Sequence, residues 1–267
     1  MQKKSYRKIY GYLLLMIFCS LATAQFAYSA NNQKDFYQIK IYQLKNNEQI
    51  QQVDEFLKNA YLPALHRAGI LKVGVFKPLA NDTSAIKKIY VFIPFNSSDE
   101  WMKLTDKLNK DDVYTLTGKN FIEAAADHPP FERVESVLLE AMPVQGHFIF
   151  PSSKSVERIF ELRDYESPTE NLLAKKLQMF NEAGETEIFK RLGFNAIFYA
   201  KVISGSRMPD LMYMTSFETV EVRDAHWKNF GADAKWKEIS SDPKYENNVS
   251  VSHIDSILMH STDYSDF

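Results

Sequence analysis

The sequence predicts an α+β protein built from two copies of one βαββαβ unit, and three observations predict it. The stretch Phe160-Glu-Leu-Arg-Asp-Tyr165 alternates apolar Phe160 and Leu162 with polar Glu161, Arg163 and Tyr165, the period of a strand with two unlike faces. The segment Tyr37-Gln-Ile-Lys-Ile-Tyr42 repeats that pattern, with Gln38, Lys40 and Tyr42 in the places of Glu161, Arg163 and Tyr165. Gly69 and Gly193, Phe95 and Phe217, and Ser136 and Ser256 stand at nearly the same separation as Gln38 and Glu161, as a tandem duplication requires.

The first strand runs from about Phe36 to Leu44. Asn46 and Asn47 then offer caps to a helix in which Ile50, Val53, Phe56, Leu57, Leu62 and Leu65 recur at helical spacing, with a kink expected near Pro63. Gly69 ends it. Ile70 to Phe76 and Ile86 to Phe95 read as the second and third strands, separated by a Pro-Asn-Asp turn region. Ser97, Ser98 and Asp99 cap a helical stretch through Trp101, Leu104 and Leu108, and more helix is expected over Val113 to Ala125 until Pro129-Pro130 stops it. Arg133 to Met142 completes the first unit at residues 33–143.

Pro143 to Ser155 carries the Pro, Gly and Ser of a linker, placed at residues 144–154. The order then returns in a second unit, residues 155–262. It has a strand at Val156 to Tyr165, a long helical region from Thr169 to Leu192 ended by Gly193, and a strand at Asn195 to Val202. After a turn at Gly205 to Pro209 come a strand at Leu211 to Phe217, a helix at Val222 to Ile239 and a last strand at Val249 to Met259.

A βαββαβ unit is the ferredoxin-like arrangement, with helices on one side of an antiparallel sheet. Two such units bury their bare faces economically by packing sheet to sheet as one intrachain barrel. The expectation that follows is that the polar rows point into a cavity shared by the two sheets.

Length and composition bound the function. The hydrophobic content of 45% supplies a full core, and a net charge of -2 leaves no basic field for nucleic acid outside the N-terminus. There, Lys3, Lys4, Arg7 and Lys8 precede an apolar stretch from Leu13 to Ala27, and Ala22-Thr-Ala24 meets the small-x-small rule. This predicts a signal peptide over residues 1–24, cleaved after Ala24, hence a periplasmic or secreted protein with no stable membrane insertion after cleavage. The alternative is an uncleaved anchor. Cys19 is the only cysteine, so the mature chain has no disulfide and no thiolate chemistry.

On the ferredoxin-like strand order, Glu161, Arg163 and Tyr165 are expected beside Tyr213 and Thr215 on one side and His253 and Asp255 on the other. An acid, a guanidinium, an imidazole and two phenols on one face suit proton transfer or binding of a polar small molecule. The bland alternative is a self-satisfied network, Glu161 with Arg163 or His253 and Arg163 with Asp255. The catalytic candidates are Glu161, Arg163 and His253. The candidate ligand contacts are Glu161, Arg163, Tyr165, Tyr213, Thr215, His253 and Asp255, with Gln38, Lys40 and Tyr42 in the first unit. Trp227, Phe230 and Trp236 read as core packing, and His66, Arg67 and His128 as helix-end groups. No metal-ligand spacing, phosphate loop or nucleophile elbow occurs, so neither metal nor cofactor is expected.

Phe160-Glu-Leu-Arg-Asp-Tyr165, the Trp227-Lys-Asn-Phe230 segment with Trp236, and His253-Ile-Asp-Ser-Ile-Leu-Met259 resemble the NIPSNAP family of the dimeric α+β barrel superfamily. The likeness covers roughly Phe36 to Met259 and is looser in the first half, where Gln38 and Lys40 replace the acid and the arginine. It implies the barrel fold and a superfamily of small monooxygenases, haem-degrading enzymes and proteins of unknown role. Three functions follow as expectations: binding of a small, partly apolar molecule between the sheets; a cofactor-independent monooxygenase or isomerase; or a scaffold joining other copies as a homo-oligomer.

Overall fold

The computed structural model describes residues 34–81, 83–151, 155 and 157–267. The N-terminal segment with its cleavage position after Ala24 lies outside the described residues, as do residues 152–154 of the expected linker. The first unit comprises β1 (Phe36–Leu44), α1 (Asn47–Phe56), a π-helical turn (Leu57–Tyr61), α2 (Leu62–Arg67), β2 (Gly74–Pro78) and β3 (Lys87–Phe95). Helices α3 (Ser98–Asn109), α4 (Asp112–Thr117) and α5 (Lys119–Ile122) and strand β4 (Arg133–Ala141) complete it. The second has β5 (Ile159–Glu166), α6 (Glu170–Asn181), α7 (Glu185–Arg191), β6 (Asn195–Ser204) and β7 (Asp210–Phe217). After these come α8 (Val220–Ala232), α9 (Ala234–Ser241), α10 (Asn247–Ser250) and β8 (His253–Ser261).

Local chemistry sets the helix boundaries. Asn46, Ser97, Thr169 and Thr219 each accept a hydrogen bond from the backbone N–H three residues on, satisfying a donor that a helix start leaves free. The long helix expected over Thr169 to Leu192 is broken by Gly184, whose φ of 94° is the left-handed conformation that glycine adopts without a Cβ clash. Val222 to Ile239 breaks likewise at Asp233, which caps α9.

The eight strands close into one barrel in the order β1-β3-β2-β8-β5-β7-β6-β4. Each unit supplies four adjacent strands, and antiparallel pairing joins the units at β2 with β8 and at β4 with β6. The second strand starts later than its apolar pattern suggests, because Ile70 and Val73 are buried as a loop before Gly74. The expected linker also takes part in the core, for Phe148 and Phe150 pack against the barrel interior.

Tyr37, Ile39 and Ile41 of β1 and Phe160 and Leu162 of β5 point into the barrel with Phe76, Phe92, Phe198, Met214 and Met259. Phe92 stacks on Phe198 at 5.2 Å, and Phe267 lies edge-on to Phe76, Phe92, Phe150 and Phe160. Each such buried ring contributes about 1.5–3 kcal/mol from apolar burial. These rings fill the middle of the barrel. The sheets' outer faces are covered by helices, over Leu44, Val75, Val91 and Phe95 in the first unit and over Tyr165, Tyr199, Tyr213 and Phe217 in the second.

Candidate functional site

The polar row of β5 lies on the helix-covered face and not in a cavity between the sheets, which corrects the expectation. Phe160 and Leu162 take the inward positions, so the alternation sends Glu161, Arg163 and Tyr165 outward beneath α8. Glu161 is fully buried there. It accepts from Arg223 Nε at 3.0 Å and Nη2 at 2.5 Å, from Trp227 Nε1 at 2.7 Å, from Ser256 Oγ at 2.7 Å and from Arg163 Nη1 at 3.1 Å. Burial alone would raise its carboxyl's pKa, but the hydrogen bonds and the Arg163 charge outweigh it and hold the pKa below the ordinary value.

Tyr213 and Thr215 flank this row as expected, paired in register with Arg163 and Glu161. The Tyr165 and Tyr213 hydroxyls are 3.0 Å apart. His253 and Asp255 do not join them. Across β5 and β8 the residues facing Glu161 and Arg163 are Leu258 and Ser256, whereas Asp255 faces Asp164 and His253 faces Glu166. A register offset of one residue therefore puts both on the barrel side. Neither a Glu161–His253 nor an Arg163–Asp255 pair forms among the described residues; His253 instead meets Asp255 at 3.1 Å.

In the first unit Gln38, Lys40 and Tyr42 also lie on the helix side, because Tyr37, Ile39 and Ile41 point inward. Gln38 donates to Ser136 Oγ at 2.7 Å, the counterpart of the Ser256–Glu161 bond. Trp227 is core as expected, against Phe189, Phe194 and Phe230, and it also serves Glu161. His66 pairs with Asp266 at 2.9 Å, Arg67 with Asp111 at 2.8 Å and His128 with Asp127 at 3.1 Å.

One opening between the sheets is a cavity of about 160 Å³ at a mouth of the barrel, beyond the aromatic core. Its apolar wall comprises Ile41, Val137, Leu162, Met212 and Ile257, and its polar wall Asp164, Asp210, Asp255, Glu135 and Arg207. Asp164 and Asp210 are almost wholly buried. Their Oδ1 atoms have no hydrogen-bond partner. Two neighbouring carboxyl groups out of water oppose each other's ionisation, which favours the protonated form.

Burial first, and then the neighbouring Asp210, push the Asp164 pKa up to about 8. Burial raises that of Asp210 to about 6. Both carboxyls therefore ionise less readily than ordinary ones. Arg207, from the turn before β7, closes the rim by bonding Asp255 and, at 3.2 Å, Glu166, and it lies 3.7 Å from Asp164. Asp164, Asp210 and Arg207 escaped the sequence reading. The available signal was Asp164 itself, an acid at the third inward place of the row that begins with Phe160 and Leu162. No group of three or more metal-ligating side chains forms among the described residues, and no described helix is long and apolar enough to cross a membrane.

Several solved structures share this architecture. A provisionally named monooxygenase from Lactobacillus acidophilus superposes with a TM-score of 0.55 at 11% identity, over 85% of this chain and 94% of its own. One from Fusobacterium nucleatum gives 0.57 at 7% identity, over 86% and 93%. An anthrone oxidase-like protein gives 0.55 at 9% identity, over 86% and 92%. Identities this low carry the fold alone. No curated protein matches the sequence. The family model that matches is NIPSNAP, over residues 160–266, the stretch that runs from the Glu161 strand through Trp227 and β8 to Asp266. Residues 160–266 thus match the NIPSNAP family model, and they fold with the first half into a single α+β barrel.

Proposed function

We propose that the protein binds a small, partly apolar molecule in the mouth cavity between its two sheets. The observation that carries this reading is the Asp164–Asp210 pair, two buried carboxyl groups whose Oδ1 atoms have no hydrogen-bond partner, set against an apolar wall of Leu162, Met212, Ile41 and Ile257. The cavity admits a ligand of few heavy atoms, with one polar end on the acid pair. The basic and apolar N-terminal stretch supports export to the periplasm or beyond. Sequencing the amino terminus of the protein recovered from cells tests that part: the expected first residue is Gln25, and an intact Met1 overturns it.

A second reading, proton transfer as in a cofactor-independent isomerase, is favoured by the same pair. Asp210 as carboxylate removes a proton from carbon next to a carbonyl, while Asp164 gives its proton to the carbonyl oxygen, so an enol forms with no outside reagent. One NMR experiment covers both readings. Short-chain ketones, alcohols and amines titrated into the protein in deuterium oxide are expected to shift the Leu162, Met212 and Ile257 methyl signals, and Asp210→Asn to weaken the binding about tenfold, the loss of one charge-assisted hydrogen bond. Fragments that leave those methyl signals unmoved, or bind Asp210→Asn equally well, sink the binding reading. Binding of ketones without exchange of their α-protons sinks the isomerase alone.

A further inference from the structure

The two units treat one position in opposite ways. In the second, the cation on the helix face of the first strand is Arg163, locked to Glu161. In the first unit the acid has become Gln38 and the cation Lys40, beside Ser136 as Arg163 is beside Ser256. The hydroxyl bond survives as Gln38 to Ser136, but the countercharge is gone.

Lys40 is left half-buried among aromatic rings. Its Nζ lies 4.7 Å from the ring centroid of Tyr61 and 5.6 Å from that of Tyr42. Tyr61 comes from the π-helical turn, a local widening of the helix that tends to occur at functional sites, and it stacks on Phe56 at 5.7 Å. Phe121 and Phe131 extend the aromatic surface from Tyr42. The groups facing the amine are Tyr42 and Gln38 on its own strand, Val91 of β3, Ser136 of β4 and Tyr61 of the helical turn. None is a carboxylate. Burial raises the pKa of both tyrosine hydroxyls, so they stay neutral and add no countercharge. Ser136 is exposed, so the β4 side of the site is open to solvent.

We propose that Lys40 is a carbonyl-binding site, an unpaired amine in an aromatic box that forms an imine with small apolar aldehydes or ketones. The neutral Nζ adds to the carbonyl carbon, the oxygen takes up the two amine protons and leaves as water, and a C=N bond remains. The rings hold the apolar part of the carbonyl compound. Burial, which brings the amine's pKa down to about 8, supplies the neutral nucleophile near physiological pH.

The test is reductive trapping of the full chain with benzaldehyde and sodium cyanoborohydride, read by peptide mass mapping. At pH 7.5 Lys40 is expected to be benzylated about tenfold faster than the exposed Lys103, because far more of its amine is neutral. Its rate is expected to reach half its maximum near pH 8, and Lys40→Arg to lose that fast label while the other lysines react unchanged. Labelling of Lys40 no faster than Lys103, or a half-maximum at about pH 10 as for an ordinary lysine, overturns the proposal.

Discussion

Glu161→Ala is expected to lower the melting temperature by about 6–20 °C. The carboxylate is the shared acceptor of Arg163, Arg223, Trp227 and Ser256. Removing it strands two guanidinium groups that are mostly out of water, and breaking a buried ion pair from one side costs about 3–5 kcal/mol. For a chain of this size each kcal/mol moves the midpoint by roughly 2–4 °C, which gives the range stated. The direction with pH follows from the depressed pKa of Glu161. A carboxyl whose folded pKa lies below its unfolded one stabilises fully above about pH 4.3 and ceases to do so as pH falls through the folded value. Parent and variant melting curves should therefore converge below about pH 4. A variant that melts with the parent at pH 7 would show that the network is idle.

Asp164→Asn is expected to act in the opposite sense, making the protein more stable than the parent at pH 8 while matching it near pH 4. The Asp164 pKa is raised by burial and by Asp210 to about 8. As pH rises from about 4, the unfolded chain releases this proton and the folded chain keeps it, so the parent loses stability across that whole interval. Asparagine cannot ionise, and its amide can donate to Asp210 in place of the acid proton. The gain should grow with pH to on the order of several kcal/mol at pH 8, since each unit between the folded and unfolded pKa is worth about 1.4 kcal/mol. Melting temperatures measured from pH 4 to 8 decide it: a uniform loss across the range would mean that no proton is shared.

The fold was legible because its signals are local. The alternation in Tyr37 to Tyr42 and Phe160 to Tyr165, the capping residues Asn46, Ser97, Thr169 and Thr219, and the glycines that end helices each act within a few residues. Which row of a strand faces which layer was not legible. Both faces of β5 are buried, one by the opposite sheet and one by α8, so polarity does not tell them apart. The polar row found its partners in Arg223 and Trp227, which α8 carries onto the sheet from far along the chain. The His253 and Asp255 assignment failed through register, since moving one residue along a strand turns a side chain to the opposite layer. Asp164 meets Asp210 only through that long-range pairing, and no spacing within either segment announces it. The helix breaks at Gly184 and Asp233 were visible as residues but were outweighed by the apolar periodicity on either side.

The two seams of the barrel bear on how the halves came to depend on each other. Each sheet spends both of its outer strands on its twin, and Thr262 and Asp266, after the last strand, donate their backbone N–H groups to Val75 and Val73 of the first half. A fragment ending near residue 143 would carry two naked rows of amide and carbonyl groups, ready templates for any passing chain. Once a duplication of this kind is closed, its parts can no longer be parted, and only the side chains remain free to diverge, as Gln38 and Glu161 have done.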